Sequence, residues 1–139
     1  MTMRLLPATP LLLVLLALGG CNRLGPNTPE KSYTDFHTAV QYGEAKNAYA
    51  LLSQPTQQAL QARAKTVADA SGGTVKADPV AFFFANVPTP ADVTKVSLLS
   101  MEGDAARVEV ISSTGKSEVQ MVREPSGWKV DLTQSLQQP

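Results

Sequence analysis

Apolar residues in this chain recur at every third or fourth position as far as the mid-eighties and at every second position from Val93 onward. A helix repeats every 3.6 residues and a strand every two, so this switch constrains the fold more than any other feature. In the first part, Thr28-Pro29-Glu30 reads as a helix start, with a hydroxyl cap, a proline in the first turn and an acid at the positive dipole end. Tyr33, Phe36, His37 and Val40 then form one stripe at i, i+3, i+4 and i+7. Gly43 weakens that helix, and Ala48, Leu51 and Leu52 suggest a second short piece. Ser53 is placed to cap a third helix starting near Pro55, in which Leu60, Ala64, Val67 and Ala68 share a face and Gln57, Gln61 and Lys65 look outward. Gly72-Gly73 stops it, Asp78-Pro79 starts a turn or short helix through Phe82-Phe83-Phe84, and Val87-Pro88-Thr89-Pro90 forces extended chain.

In the second part Val96 and Leu98 mark a first strand before a Glu102-Gly103-Asp104 turn, and Ala106, Val108 and Val110 share one face of a second. Ser112 to Gly115 turns the chain, Val119 and Met121 mark a third strand, and Pro125-Ser126-Gly127 turns it again. Trp128, Val130 and Leu132 line the inner face of a fourth strand, with Lys129 and Asp131 outside. Short turns join antiparallel neighbours, so the expectation is an α+β domain in which N-terminal helices pack on a four-stranded antiparallel meander.

The first 20 residues read differently. Arg4 is the one charged side chain before Leu11-Leu12-Leu13-Val14-Leu15-Leu16-Ala17-Leu18, an unbroken apolar run. That run is well short of the about 20 residues a spanning helix needs, and with its charged start it has the form of a secretory signal. It ends in Leu18-Gly19-Gly20-Cys21, which resembles the lipobox of bacterial lipoproteins: an aliphatic residue three positions before a Cys, with two small residues between. The resemblance implies cleavage after Gly20, with Leu18, Gly19 and Gly20 gripped by the signal peptidase, and acylation of the Cys21 thiol. One acyl chain holds only reversibly, whereas the two or three chains that the pathway adds anchor stably. Cys21 is the chain's single cysteine, so it has no intramolecular disulfide partner. Asn22 rather than Asp follows it, which under the enterobacterial sorting rule implies the outer membrane, facing the periplasm, in a Gram-negative cell.

The chain therefore divides into a signal peptide over 1–20, a lipidated Cys and tether over 21–29, an α+β domain over 30–133 and a tail over 134–139. Removing 20 residues from 139 leaves 119, enough for one compact domain. Arg4 leaves with the leader, so 11 basic side chains face 12 acidic ones, and no basic stripe invites nucleic acid.

Tyr33 and Phe36 on a first helix, the Gly43 break and Leu51-Leu52-Ser53 resemble the start of nuclear-transport-factor-2-like domains. So does the ending: Gly103-Asp104, Ala106-Arg107-Val108, then Gly127-Trp128-Lys129-Val130-Asp131. Small bacterial lipoproteins share this plan. The resemblance implies a curved sheet wrapped round the helices into a cone with an apolar pocket at its open end, and a further short strand for which Thr74-Val75-Lys76 is the candidate. Tyr33, Phe36, His37, Phe82, Phe83 and Trp128 are the candidate lining of such a pocket, and Tyr42 and Tyr49 are further tyrosines that could point inward.

Nothing in the chain reads as catalytic machinery. His37 is a general base in an enzyme reading and a half-buried ring in a packing reading, which is favoured. One His without a Cys or acid at ligand spacing gives no metal site, and no phosphate loop, dinucleotide fingerprint or nucleophile elbow supplies a cofactor site. A short helix buries one or two of Phe82, Phe83 and Phe84, leaving a ring for a pocket mouth or a partner. Arg107, Glu109, Lys129 and Asp131 on the outer sheet face favour a monomer or weak dimer. Three functions fit: a tethered module binding an apolar small molecule or an envelope protein, an isomerase- or dehydratase-like enzyme on the same cone, and a structural envelope lipoprotein.

Overall fold

The computed structural model describes residues 27–87 and 91–138. The leader, the Leu18–Cys21 box, the tether as far as Pro26 and the Pro88–Pro90 stretch lie outside the described residues. In order, the elements are α1 (Pro29–Gln41), α2 (Ala45–Ala50), α3 (Gln54–Ala70), α4 (Pro79–Asn86), β1 (Val93–Glu102), β2 (Ala105–Ser112), β3 (Gly115–Glu124), β4 (Gly127–Asp131) and α5 (Thr133–Gln137). The domain is α+β, with four helices preceding a four-stranded antiparallel sheet of order β1-β2-β3-β4. Among the described residues no helix is long and apolar enough to cross a membrane.

α1, α3 and α4 each begin where a short polar side chain satisfies free N–H groups. Thr28 Oγ1 accepts from Lys31 N at 3.2 Å, Ser53 Oγ from Thr56 N at 3.2 Å, and Asp78 Oδ1 from Val80 N and Ala81 N at 2.9 and 3.2 Å. A proline follows each cap in the first turn, where its missing N–H costs nothing. Gly43, at φ +71°, takes the left-handed conformation that ends α1 and lets α2 fold back beneath it.

The inner sheet face carries Ala106, Val108, Val110, Met121, Trp128 and Val130, all buried, against Phe36, Ala39, Ala48, Leu52, Leu60 and Phe83 from the helices. Burying a side chain the size of Val108 or Leu52 stabilises by about 1.5–3 kcal/mol. Phe83 is buried while Phe82 and Phe84 are half-buried, the division expected for three consecutive rings on a short helix.

Several expectations are corrected. Val67 is 40% exposed, because the buried stripe of α3 is the narrower Leu60-Ala64-Ala68 row facing α4. Tyr42 is 75% exposed at the end of α1 and points away from any pocket. The extra pairing is formed not by Thr74–Lys76 but by Leu52, which bridges Val130 in parallel: Ser53 N donates to Val130 O at 2.8 Å and Val130 N to Leu51 O at 2.9 Å. Val75 is 48% exposed beside α3. β4 ends at Asp131, so Leu132 is not on its inner face; its N–H donates to Thr56 Oγ1 at 2.9 Å and it begins α5. The stretch set aside as a tail is thus largely α5, whose Leu136 packs on the core.

Asp131 is the most instructive case. Alternation turns it away from buried Val130, as expected, yet the first turn of α3 occupies that side. Its Oδ1 accepts from Thr133 N at 3.0 Å, Thr133 Oγ1 at 2.7 Å, Thr56 Oγ1 at 3.2 Å and Ser53 Oγ at 3.4 Å. One carboxylate oxygen therefore joins the end of β4 to the starts of α3 and α5. β1 carries two register slips, between Val93 and Lys95 and between Leu98 and Ser100, which leave Thr94 and Leu99 without cross-strand partners.

Candidate binding cavity

α1 crosses the inner face of the sheet. At its start Asn27 Oδ1 accepts from Trp128 N on β4 at 2.7 Å, and three turns on, His37 Nε2 lies 2.9 Å from Ala91 O, just before β1. The helix leaves a gap between its second half and the β2–β3 end of the sheet. That gap is a cavity of about 400 Å³ lined by Tyr33, Phe36, His37 and Val40 from α1, Val93, Val110, Ser112, Thr114 and Ser117 from the sheet and its β2–β3 turn, and Val87 and Ala91 from the chain that leads into β1. Its volume lies in the range of small-molecule sites.

The i, i+3, i+4, i+7 stripe supplies the helical wall. Phe36 is its buried floor, backed by Phe83 with ring centroids 6.2 Å apart. Tyr33 stacks on His37 at 6.4 Å, and burial raises the Tyr33 phenol above its ordinary pKa. A carbonyl oxygen only accepts, so His37 Nε2 carries the proton in its bond to Ala91 O; in the neutral imidazole this leaves Nδ1 as a lone pair. Across the cavity, Ser112 Oγ lies 3.2 Å from Gly115 O and 3.1 Å from Thr114 Oγ1. A hydroxyl has one proton, so with Ser112 donating to Gly115 O, Thr114 donates to Ser112. Tyr33 Oη, His37 Nδ1 and Ser117 Oγ have no hydrogen-bond partner among the described residues and are the open polar handles of a lining whose other polar side chains, Ser112 and Thr114, bond to each other.

The six residues expected to line one pocket are thus divided. Tyr33, Phe36 and His37 come together in this cavity. Phe82 and Phe83 line a separate cleft of about 290 Å³ between α3, α4 and α5, with Leu60, Leu132 and Leu136 on its other walls. Phe83 reaches the first cavity only through Phe36. Trp128 lines neither; it is buried with the Arg123 guanidinium 4.8 Å above its ring. Tyr49 lies elsewhere, its hydroxyl donating to Gln57 O at 3.2 Å. The hydroxyls of Ser112 and Thr114 were legible in the sequence only as turn residues, and that of Ser117, inside β3, carried no signal. No group of His, Cys, Asp and Glu able to hold a metal ion occurs among the described residues.

A comparison with family models finds no match for this chain, and neither does one with curated proteins.

Proposed function

We propose that this chain is an exported lipoprotein, anchored through acylated Cys21, whose domain is a nuclear-transport-factor-2-like cone that holds an uncharged apolar molecule in the α1 cavity. The anchor is supported by the coincidence of charged start, short apolar run and Leu18-Gly19-Gly20-Cys21 at the right spacing. Helices on one face of an antiparallel meander, with a further pairing beside the last strand, support the cone. Asn22 after the Cys favours the outer membrane on its periplasmic side. Charged residues on the outer sheet face, with Arg107 paired to Glu118 at 3.1 Å, favour a monomer or weak dimer.

The observation that carries the binding reading is the lining itself. It contains no Asp, Glu, Lys or Arg, and its three open handles are a phenol, an imidazole nitrogen and a hydroxyl. A charged ligand would lose its hydration there without a counter-charge, whereas an apolar body with one or two hydroxyl or carbonyl groups finds partners. An uncharged environment-sensitive dye titrated into the protein tests this. Val40→Phe narrows the cavity and is expected to weaken dye binding by roughly tenfold, about 1.4 kcal/mol, with little change in the thermal midpoint; unchanged affinity would remove the cavity from the reading. Mass spectrometry of the membrane fraction tests the anchor, and an unmodified Cys21 would overturn it.

A second reading is favoured by one feature, the Tyr33 phenol beside a His37 ring with a free lone pair. That pair suits proton transfer in an isomerase- or dehydratase-like reaction.

A further inference from the structure

The point at which the chain enters the domain is fixed. Asn27 Oδ1 accepts from Trp128 N at 2.7 Å while Asn27 Nδ2 donates to the buried Ser32 Oγ at 3.1 Å. In register Trp128 pairs with Arg123, so this clamp sits at the end of the sheet that carries the β3–β4 turn. Asp104 O accepts from Arg123 N at 2.7 Å, which puts the β1–β2 turn at the same end. The β2–β3 turn, whose Ser112 and Thr114 line the cavity, lies at the opposite end. β3 runs between the two ends over ten residues, about 30 Å at strand rise.

Five residues, Asn22 to Pro26, separate Cys21 from Asn27. Fully extended, that connection spans about 20 Å. A domain standing on its β2–β3 end would hold Asn27 about 30 Å above the surface, beyond the reach of Cys21. The contour length therefore permits tilting but forbids inversion.

We infer that the anchored domain stands on its β1–β2 and β3–β4 turns, and that the cavity is filled from the aqueous side, by an uncharged apolar molecule released into water or handed over by a soluble carrier, and not from the leaflet holding the anchor. This rests on the lipid-anchor reading and on the cavity reading above. Two sources exist for such a molecule, the bilayer and the water, and the geometry selects the second.

The full acylated chain in phosphatidylcholine vesicles tests it. Acylation consumes Cys21, so Asp104→Cys and Ser113→Cys each supply one free thiol on an exposed turn, one at each end of the sheet. Energy transfer from a headgroup dye to a label is expected to be several-fold stronger at 104 than at 113, and a flexible 20-residue insertion after Pro26 is expected to erode the difference. In a second arm, an uncharged dye is dissolved either in the vesicles that carry the chain or in separate ones. Equal loading rates, both set by desorption into water, are expected; loading several-fold faster from the chain's own vesicles would overturn the aqueous route. Equal transfer at 104 and 113 on acylated chain would overturn the orientation alone. Absent acyl groups would overturn the anchor and the orientation with it, and absent dye binding would overturn the cavity reading while the label arm still decides the orientation.

Discussion

Asn27 and Gly127 meet so closely that a Cβ on Gly127 would lie 2.7 Å from Asn27 Oδ1. The same oxygen takes the Trp128 N–H, 101 residues along the chain, so the start of the domain and its last turn are locked to each other. Gly127 also sits at φ +120°, a conformation L side chains rarely adopt.

Asn27→Ala leaves the Trp128 N–H without its acceptor and is expected to cost about 1–3 kcal/mol. Gly127→Ala introduces both the clash and the backbone strain. The double variant is expected to cost less than the sum of the two, because the truncated Asn27 no longer collides with the new methyl while the strain remains. Urea melts of the four proteins measure the coupling; strict additivity would separate the two residues.

Trp128→Ala is expected to cost about 3–5 kcal/mol, from lost burial and the cavity left behind. Domains of this size hold about 5–15 kcal/mol in total, so the variant sits near the edge of folding. His37→Ala, which removes a half-buried ring at the cavity wall, is expected to cost much less. Their urea midpoints decide the order.

Asp131→Ala removes, at the end of β4, the acceptor of four hydrogen-bond donors from the starts of α3 and α5 and is expected to destabilise by about 1–3 kcal/mol. Asp131→Asn, which keeps one acceptor oxygen, is expected to recover part of that. Lys116→Ala, on an exposed strand position, should stay within about 0.5 kcal/mol of the parent. Thermal denaturation of the three variants is the measurement.

Burial raises the Tyr33 phenol above its ordinary value, and burial followed by the nearby Asp78 charge does the same to Tyr49. The folded chain therefore holds these protons more tightly than the unfolded chain. The associated stability is complete below about pH 10, where the unfolded phenols titrate, and is lost as pH rises beyond it. Tyr33→Phe is expected to flatten this alkaline loss in part, leaving the share due to Tyr49. Tyrosinate absorbance against pH, with unfolding followed in parallel, checks it.

What the sequence made legible was local. The caps at Thr28, Ser53 and Asp78 follow from side-chain chemistry within three residues, and the four strands follow from a period of two and glycine-bearing turns. The helical wall of the cavity was visible as the Tyr33-Phe36-His37-Val40 stripe for the same reason. The other wall was not, because whether Ser112, Thr114 and Ser117 face a cavity depends on where α1 crosses the sheet. The Leu52–Val130 pairing lacked a signal too, since one bridged residue carries no periodicity. Asp131 shows the two scales in one residue: alternation turned it away from the core, and only the docking of α3 made it a junction. Phe82 and Trp128, grouped with Tyr33 on residue type, are kept apart by the core that Phe36 and Phe83 build between them.

The Leu52–Val130 bridge also changes how copies of this domain meet one another. With Leu51 and Ser53 bonded along β4, the β1 side is the one border of the sheet, among the described residues, that offers a run of unpaired backbone groups to another chain. That border is long and greasy, with Leu98, Leu99 and Met101 each exposed by about two-fifths. It would template stacking of strand on strand were it flat. The unpaired Thr94 and Leu99 twist it at two points, and Lys95 sets a charge beside the first. Resistance to fibre-like self-association is therefore vested in Thr94, Lys95 and Leu99, three residues that line neither the cavity nor the core.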